Sequence, residues 1–321
     1  MENYFYQFFL TEIRKIFPKN SVMVNTLADI LMIEKGAVYR RLRQDVPFTF
    51  NEIAIIAKHL KISLDNVIGV DTQKIIPFQS RLPDFVSPQE ADYSMLDIYM
   101  KFLRSISESE NSEAVSTFNV LPHDLFGEFR YIFMFYLFIW NFLYNKDSMK
   151  PFNQISTPPE MFQYLKKYTM IMKNFKKTNY IFDNKIFQLL VNEISFFYSI
   201  RLIEKDDVLK IKEDLFSILD YLEKMAITGQ FNETGNSVNL YISDIDISTN
   251  YTYLESDNSH LSVVRMFLLS SVTSMDENIF EKMKKWLHAL IKISTLITLT
   301  NEKQRVLYFE KQRKIVDGLI L

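Results

Sequence analysis

The sequence of 321 residues contains no cysteine, which excludes disulfide bonds and metal sites built from thiolates. Its six glycines are too widely spaced for the dinucleotide-binding fingerprint or the phosphate-binding loop, and no G-x-S-x-G nucleophile motif occurs. The four histidines are too far apart for the H-E-x-x-H zinc motif. We therefore predict that the protein has no metal, has no cofactor and is not an enzyme.

Neither charge nor hydropathy points to a membrane. The 37 basic and 39 acidic side chains leave a net charge of −2, so nucleic acid or anionic lipid could be attracted only by a local patch. The most apolar run, Tyr131–Leu143, has 13 residues, whereas a membrane-spanning helix needs about 20. Because residues 1–17 also lack a basic leader and a small-residue cleavage site, we expect a cytoplasmic protein without membrane contact.

Periodicity divides the chain into four parts and predicts a mainly α fold. A stretch with prolines and no sustained period, residues 71–87, indicates a linker after an N-terminal domain of residues 1–70. Apolar residues three and four apart predict a helical region over residues 88–233. The β-branched and aromatic residues of 234–321 predict a small C-terminal α+β region for sensing or dimerisation, with an antiparallel hairpin or a three-stranded sheet.

Basic charge is concentrated in one segment of the N-terminal domain. Residues 1–70 carry 9 basic and 7 acidic side chains (+2), against 28 and 32 (−4) in the rest. Residues 35–44 contain four cations and no acid, namely Lys35, Arg40, Arg41 and Arg43. At about 100° per residue, a helix here places Val38 and Leu42 on one face and Gly36, Arg40 and Arg43 on the opposite face.

Two segments around this helix resemble the helix-turn-helix of the lambda-repressor-like (XRE-type) bacterial transcriptional regulators. They are LADILMIEKGAVYRRLR, Leu27–Arg43, and FTFNEIAIIAKHLKISLDNVIG, Phe48–Gly69. Ala28 stands where that family keeps a small residue, whereas Met32 replaces its usual turn glycine and Arg41 replaces a usual core residue. The resemblance covers residues 4–69 and implies five helices, of which the arginine-rich one enters the major groove of DNA.

Elementary chemistry supports the same interpretation of the basic helix. Phosphates attract Lys and Arg, and Arg can form two hydrogen bonds with guanine O6 and N7. The N-terminal part of a recognition helix contacts the bases, which assigns base contacts to Lys35, Gly36, Tyr39 and Arg40. Arg41 and Arg43 follow and are assigned to phosphates. The alternative is a solvated helix face without a partner.

Three classes of function stay open at this point. The leading prediction is a sequence-specific regulator that binds double-stranded DNA as a homodimer and uses its C-terminal region for dimerisation or signal input. The alternative is a signalling or adaptor protein whose helical region binds another protein or a small effector. A third is an enzyme whose active site forms from residues distant in sequence.

Overall fold

The computed structural model describes residues 4–319 except 18, 61, 63, 65–78, 82–83, 86, 126, 145–149 and 267. The chain forms two compact units, Met1–Pro77 and Phe78–Leu321. Residues 1–70 lie in the first unit, and residues 88–233 and 234–321 both lie in the second. Part of the predicted linker lies outside the described residues, and Gln79–Arg81 within it forms a strand.

The first unit is helical throughout its described part. Its helices are α1 (Tyr4–Ile16), α2 (Asn20–Leu31), α3 (Lys35–Leu42) and α4 (Phe50–Leu60). Their inner faces meet in one core that includes Phe9, Ile13, Leu27, Val38, Leu42 and Ile56. The predicted fifth helix, beginning at Ser63, lies outside the described residues apart from Leu64.

The second unit combines helices with a large sheet. The helices are α5 (Glu90–Ser107), α6 (Arg130–Tyr144), α7 (Pro159–Lys173), α8 (Ile186–Ser199), α9 (Lys205–Thr228), α10 (Glu277–Lys292) and α11 (Glu302–Asp317). The strands are β1 (Gln79–Arg81), β2 (Glu113–Phe118), β3 (Lys177–Asp183), β4 (Ser237–Ser243), β5 (Tyr251–Glu255), β6 (His260–Met266), β7 (Ser270–Ser274) and β8 (Thr295–Leu296).

All eight described strands form one mixed sheet in the order β1-β7-β6-β5-β2-β3-β4-β8. β2, β3 and β4 are parallel, with Ser116 opposite Tyr180 and Tyr180 opposite Leu240. The remaining pairs are antiparallel. Helices connect the parallel strands, as such crossovers require. The sheet therefore spans the whole unit instead of forming a C-terminal appendage.

The predicted mainly α class is wrong, and burial explains why. β2 and β3 lie within residues 88–233, the region predicted to be helical, and nearly every residue of both strands is buried. A strand covered on both faces shows no alternation of apolar and polar residues, so it carries no period-two signal. β4 and β5 do not form the predicted hairpin, because β4 pairs with β3 and β5 pairs with β2. β5, β6 and β7 do form an antiparallel three-stranded meander.

Helices cover the two faces of the sheet unequally. On one face, apolar side chains of β3 and β4 pack with α6, α8, α9 and α11, and those of β5 and β6 pack with α5 and α7. On the other face, Val115, Ile181 and Tyr253 pack with α10. α6 contains the most apolar run and is buried along most of its length. Across the described ranges, no helix is both long and apolar enough to cross a bilayer.

Candidate nucleic-acid interface

The turn between α2 and α3 is tight and left-handed. Met32 adopts φ 53° and ψ 44°, and its backbone N–H donates to the carbonyl of Ala28. The N–H of Ile33 donates to the same carbonyl at 3.2 Å. Residues other than glycine pay about 1–2 kcal/mol for this conformation, and the Met32 side chain, 93% exposed, gains little packing to offset it. The turn thus adopts the left-handed geometry that glycine favours, although it contains no glycine.

α3 is anchored by one face only. Val38 and Leu42 are buried in the same core as Leu27 and Ala28 of α2. The amides of Ala37 and Val38 donate to the Glu34 carbonyl and begin the helix. Because the buried positions are four residues apart, they fix the rotation of α3 about its axis. The opposite face must then point to solvent.

That exposed face consists of Lys35, Gly36, Tyr39, Arg40 and, just after the helix, Arg43. No acidic residue occurs in α3. Within the described part of the chain, Lys35 and Arg40 form no ion pair, and Arg43 has only Asp45, at 3.2 Å with both side chains exposed. A Cβ at Gly36 would meet no atom within 4 Å, so packing inside the unit does not require glycine there. The face has three cations and a position where an external backbone can approach closely.

Arg41 has a different environment from the one predicted. Its Nε lies 3.0 Å from Glu52 Oε2 and its Nη2 lies 2.7 Å from Glu52 Oε1, a bidentate ion pair between α3 and α4. The two side chains are only 17% and 16% exposed. The predicted phosphate contact by Arg41 therefore does not fit its position, because its guanidinium is already paired with a carboxylate. Its role is to hold α3 against α4.

Glu52 also caps α4, as the sequence predicts. It accepts the N–H of Thr49 at 2.8 Å, while Thr49 Oγ1 accepts the N–H of Glu52 at 3.3 Å, which completes a capping box. Burial by itself raises the pKa of Glu52, but the hydrogen bonds from Arg41 and Thr49 outweigh it and the pKa falls below its usual value. One carboxylate thus joins the cap of α4 to the side of α3.

α1 secures the far end of α3. The hydroxyl of Tyr6 accepts the N–H of Phe48 at 2.8 Å and lies 3.4 Å from the carbonyl of Arg41. Arg14 Nη2 donates to the carbonyl of Leu42 at 3.3 Å. The last carbonyls of a helix have no partner within the helix, so both contacts hold its C-terminal turn in place. A helix fixed at both ends presents its exposed side chains in a defined arrangement.

Possible metal ligands do not cluster in the described part of the chain. The described residues contain no group of three histidine, aspartate or glutamate side chains able to hold a metal ion. Asp246 forms an exposed ion pair with Lys185 at 2.7 Å.

No protein-family model, curated protein or solved structure matches this chain.

Proposed function

We propose that the first unit is the DNA-binding domain of a sequence-specific transcriptional regulator and that α3 is its recognition helix. The observation that carries the proposal is the division of α3 into a buried apolar face and an exposed face with cations and no acid. An α-helix fits the major groove of DNA, and the N-terminal part of a recognition helix contacts base edges.

The exposed residues of α3 divide into base contacts and a phosphate contact. Lys35, Gly36, Tyr39 and Arg40 contact base edges, and Arg40 is the side chain able to form two hydrogen bonds with guanine. Arg43 contacts phosphate, since it follows the last turn of α3 and its side chain is 68% exposed. Gly36 allows the DNA to approach the helix backbone.

The proposed regulator acts as a homodimer on an inverted repeat. A single helix-turn-helix contacts few base pairs, and two-fold dimers read half-sites about 34–36 Å apart. The second unit, Phe78–Leu321, then supplies dimerisation or signal input. Light scattering of the full-length protein with and without DNA measures this state, and a monomer under both conditions would contradict the dimer.

The test is selection from a random duplex library followed by titration of the selected duplex over a range of salt concentrations. The wild-type protein should select an inverted repeat and lose affinity steeply with salt. Arg40→Ala should weaken binding by about 1–3 kcal/mol and relax the sequence preference at one position. Arg43→Ala should weaken all duplexes similarly and reduce the salt slope by about 0.9.

Lys58→Ala provides the matched control, because Lys58 is an exposed cation of the same unit that lies on α4. It should leave both the selected sequence and the affinity nearly unchanged. If no duplex is enriched and DNA affinity does not depend on salt, the regulator proposal is wrong and the adaptor alternative gains support. Equal binding curves for wild type, Arg40→Ala and Arg43→Ala would remove α3 from the interface.

A further inference from the structure

A cavity of about 150 Å³ lies in the second unit between α5, α7 and the face of the sheet that these two helices cover. Its walls are mostly methionine, leucine and aromatic side chains, including Met95, Leu96, Met100, Phe118, Tyr168 and Met172. Of the long aromatic run in α6, Phe133 contributes to the lining. A dry cavity of about this volume accommodates a benzene-sized molecule. The space therefore suits a small ligand with an apolar body.

A guanidinium lies at one side of this apolar space. Arg265 of β6 donates from Nε to the Leu268 carbonyl at 2.6 Å, from Nη1 to the Leu121 carbonyl at 3.3 Å, and from Nη2 to the ring of His123. All three acceptors are neutral, since burial and the neighbouring Arg265 hold the pKa of His123 well below its usual value. Burial likewise lowers the pKa of Arg265 to about 10.

Arg265 consequently has hydrogen-bonding capacity left over. A guanidinium has five N–H donors, so one hydrogen on each Nη remains without an acceptor among the described residues. No carboxylate of the described chain forms an ion pair with it. Arg265 is partly buried, and a partly buried cation without a direct ion pair has a moderate desolvation cost. An anionic ligand would remove that cost.

Ser270 does not add a second donor beside the guanidinium. It lines the cavity, is only 3% exposed, and its hydroxyl has no hydrogen-bond partner among the described residues. β7 pairs with β6 so that Ser271 lies opposite Arg265 and Ser270 lies opposite Met266. Because successive side chains of a strand point to opposite faces, the Ser270 hydroxyl is directed away from the face that carries the guanidinium. Two other hydroxyls of the lining, Ser116 and Thr252, pair with each other at 2.8 Å.

Asp124 is the acidic residue of the cavity lining, and it is already engaged. It accepts a hydrogen bond from the buried hydroxyl of Tyr180. Burial raises the pKa of Asp124, which opposes its negative charge. Asp124 attracts Arg265 across the cavity but forms no ion pair with it, so the free N–H groups of Arg265 have no direct acceptor among the described residues.

We propose that this cavity is a binding site for a small monocarboxylate with an apolar or aromatic body. The carboxylate accepts hydrogen bonds from the free N–H groups of Arg265. Paired donors of this kind match the geometry of a carboxylate. The apolar body fills the space beside Met95, Met100 and Met172, whose flexible side chains adapt to its shape. This site is independent of the proposed DNA-binding function.

Calorimetric titration of the full-length protein with benzoate and hexanoate tests the proposal, with benzamide and hexanamide as neutral counterparts. We expect at least one acid to bind and its amide to bind at least tenfold more weakly, since hydrogen bonds to charged groups contribute more than neutral ones. Arg265→Gln should weaken the acid at least tenfold and leave the amide little changed. Arg104→Gln is the matched control, because Arg104 is exposed on α5 outside the cavity lining.

A second variant keeps the test decisive if Arg265→Gln does not fold. Met95→Trp enlarges a side chain of the cavity wall without touching the guanidinium, and it should abolish binding of acid and amide alike. Circular dichroism of each variant checks that the fold is retained. The proposal is overturned if neither acid binds at millimolar concentration, if the amide binds as tightly as the acid, or if a folded Met95→Trp protein binds the acid normally. DNA binding by the same protein is measured separately, so its failure is distinguishable.

Discussion

Neutralising Arg41 should destabilise the first unit far more than neutralising Arg43 two residues away. Arg41→Gln leaves the carboxylate of Glu52, which is 16% exposed, without its main partner. Removing one member of a fully buried ion pair costs about 3–5 kcal/mol, whereas an exposed pair contributes about 0–1 kcal/mol. The Arg41 pair is largely buried but keeps some contact with water and with Thr49, so we expect a loss of about 2 kcal/mol. Arg43→Gln disrupts only an exposed pair and should cost less than about 0.5 kcal/mol.

The chain offers a convenient way to follow each unit. Both tryptophans, Trp140 and Trp286, lie in the second unit. In urea denaturation, tryptophan fluorescence therefore reports the second unit, while far-ultraviolet circular dichroism reports both. Arg41→Gln should shift the circular dichroism transition and leave the fluorescence transition in place. A double-mutant cycle with Glu52→Gln should give a coupling energy of about 1–2 kcal/mol.

The pH dependence gives an independent check with a definite sign. The pKa of Glu52 is lower in the folded protein than its ordinary value of 4.5, so the ionised carboxylate stabilises the fold above about pH 4.5. This contribution is lost as the pH falls through the lower, folded-state pKa. The stability difference between wild type and Glu52→Gln should therefore shrink on acidification to about pH 3. A constant difference, or equal losses for Arg41→Gln and Arg43→Gln, would refute this account.

Three further substitutions and one control test backbone strain, packing and ion pairing elsewhere. Met32→Gly relieves about 1–2 kcal/mol of left-handed strain at a cost of about 0.4–1 kcal/mol in unfolded-state entropy, so the circular dichroism transition should move to higher urea. Gly127→Ala places a Cβ 2.6 Å from Thr169 Oγ1 and should lower the fluorescence midpoint by an amount equivalent to about 1–3 kcal/mol. Lys173→Met leaves two glutamates around a side chain that is 2% exposed and should cost about 2 kcal/mol. Lys185→Met, at an exposed pair, should cost less than about 0.5 kcal/mol.

Local signals in the sequence predicted the first unit better than the second. The interval of four residues between Val38 and Leu42 and the Thr49–Glu52 capping box both depend on near neighbours, and both are present in the structure. The ion pair between Arg41 and Glu52 joins two helices and has no local signature. The predicted helix starting at Lys35 and the observed α3 share their first residue, and the observed helix ends two residues earlier, at Leu42.

The sheet and the cavity depend on pairings that no local pattern encodes. Arg265 could be noticed as a charged residue in an otherwise mostly apolar strand. Its neighbour across the sheet, Ser271, and its hydrogen-bond partner His123 follow from strand order and register. Central strands such as β2 lack alternation of apolar and polar residues because both of their faces are buried. Chemistry assembled across strands was therefore beyond prediction from periodicity.

The two proposals together place a strict condition on regulation. A carboxylate can alter DNA affinity only if it binds two conformational states of the protein with different affinity. The coupling is reciprocal, so DNA must change the affinity for the carboxylate by the same factor, typically about 5–150-fold. Benzoate also adds ionic strength, which weakens DNA binding without occupying any site. Arg265→Gln separates the two effects, because it should retain the ionic effect and lose the coupling. In the wild-type protein, the carboxylate should change DNA affinity by the same factor by which DNA changes carboxylate affinity. If both changes are absent in Arg265→Gln, the cavity is identified as the effector site.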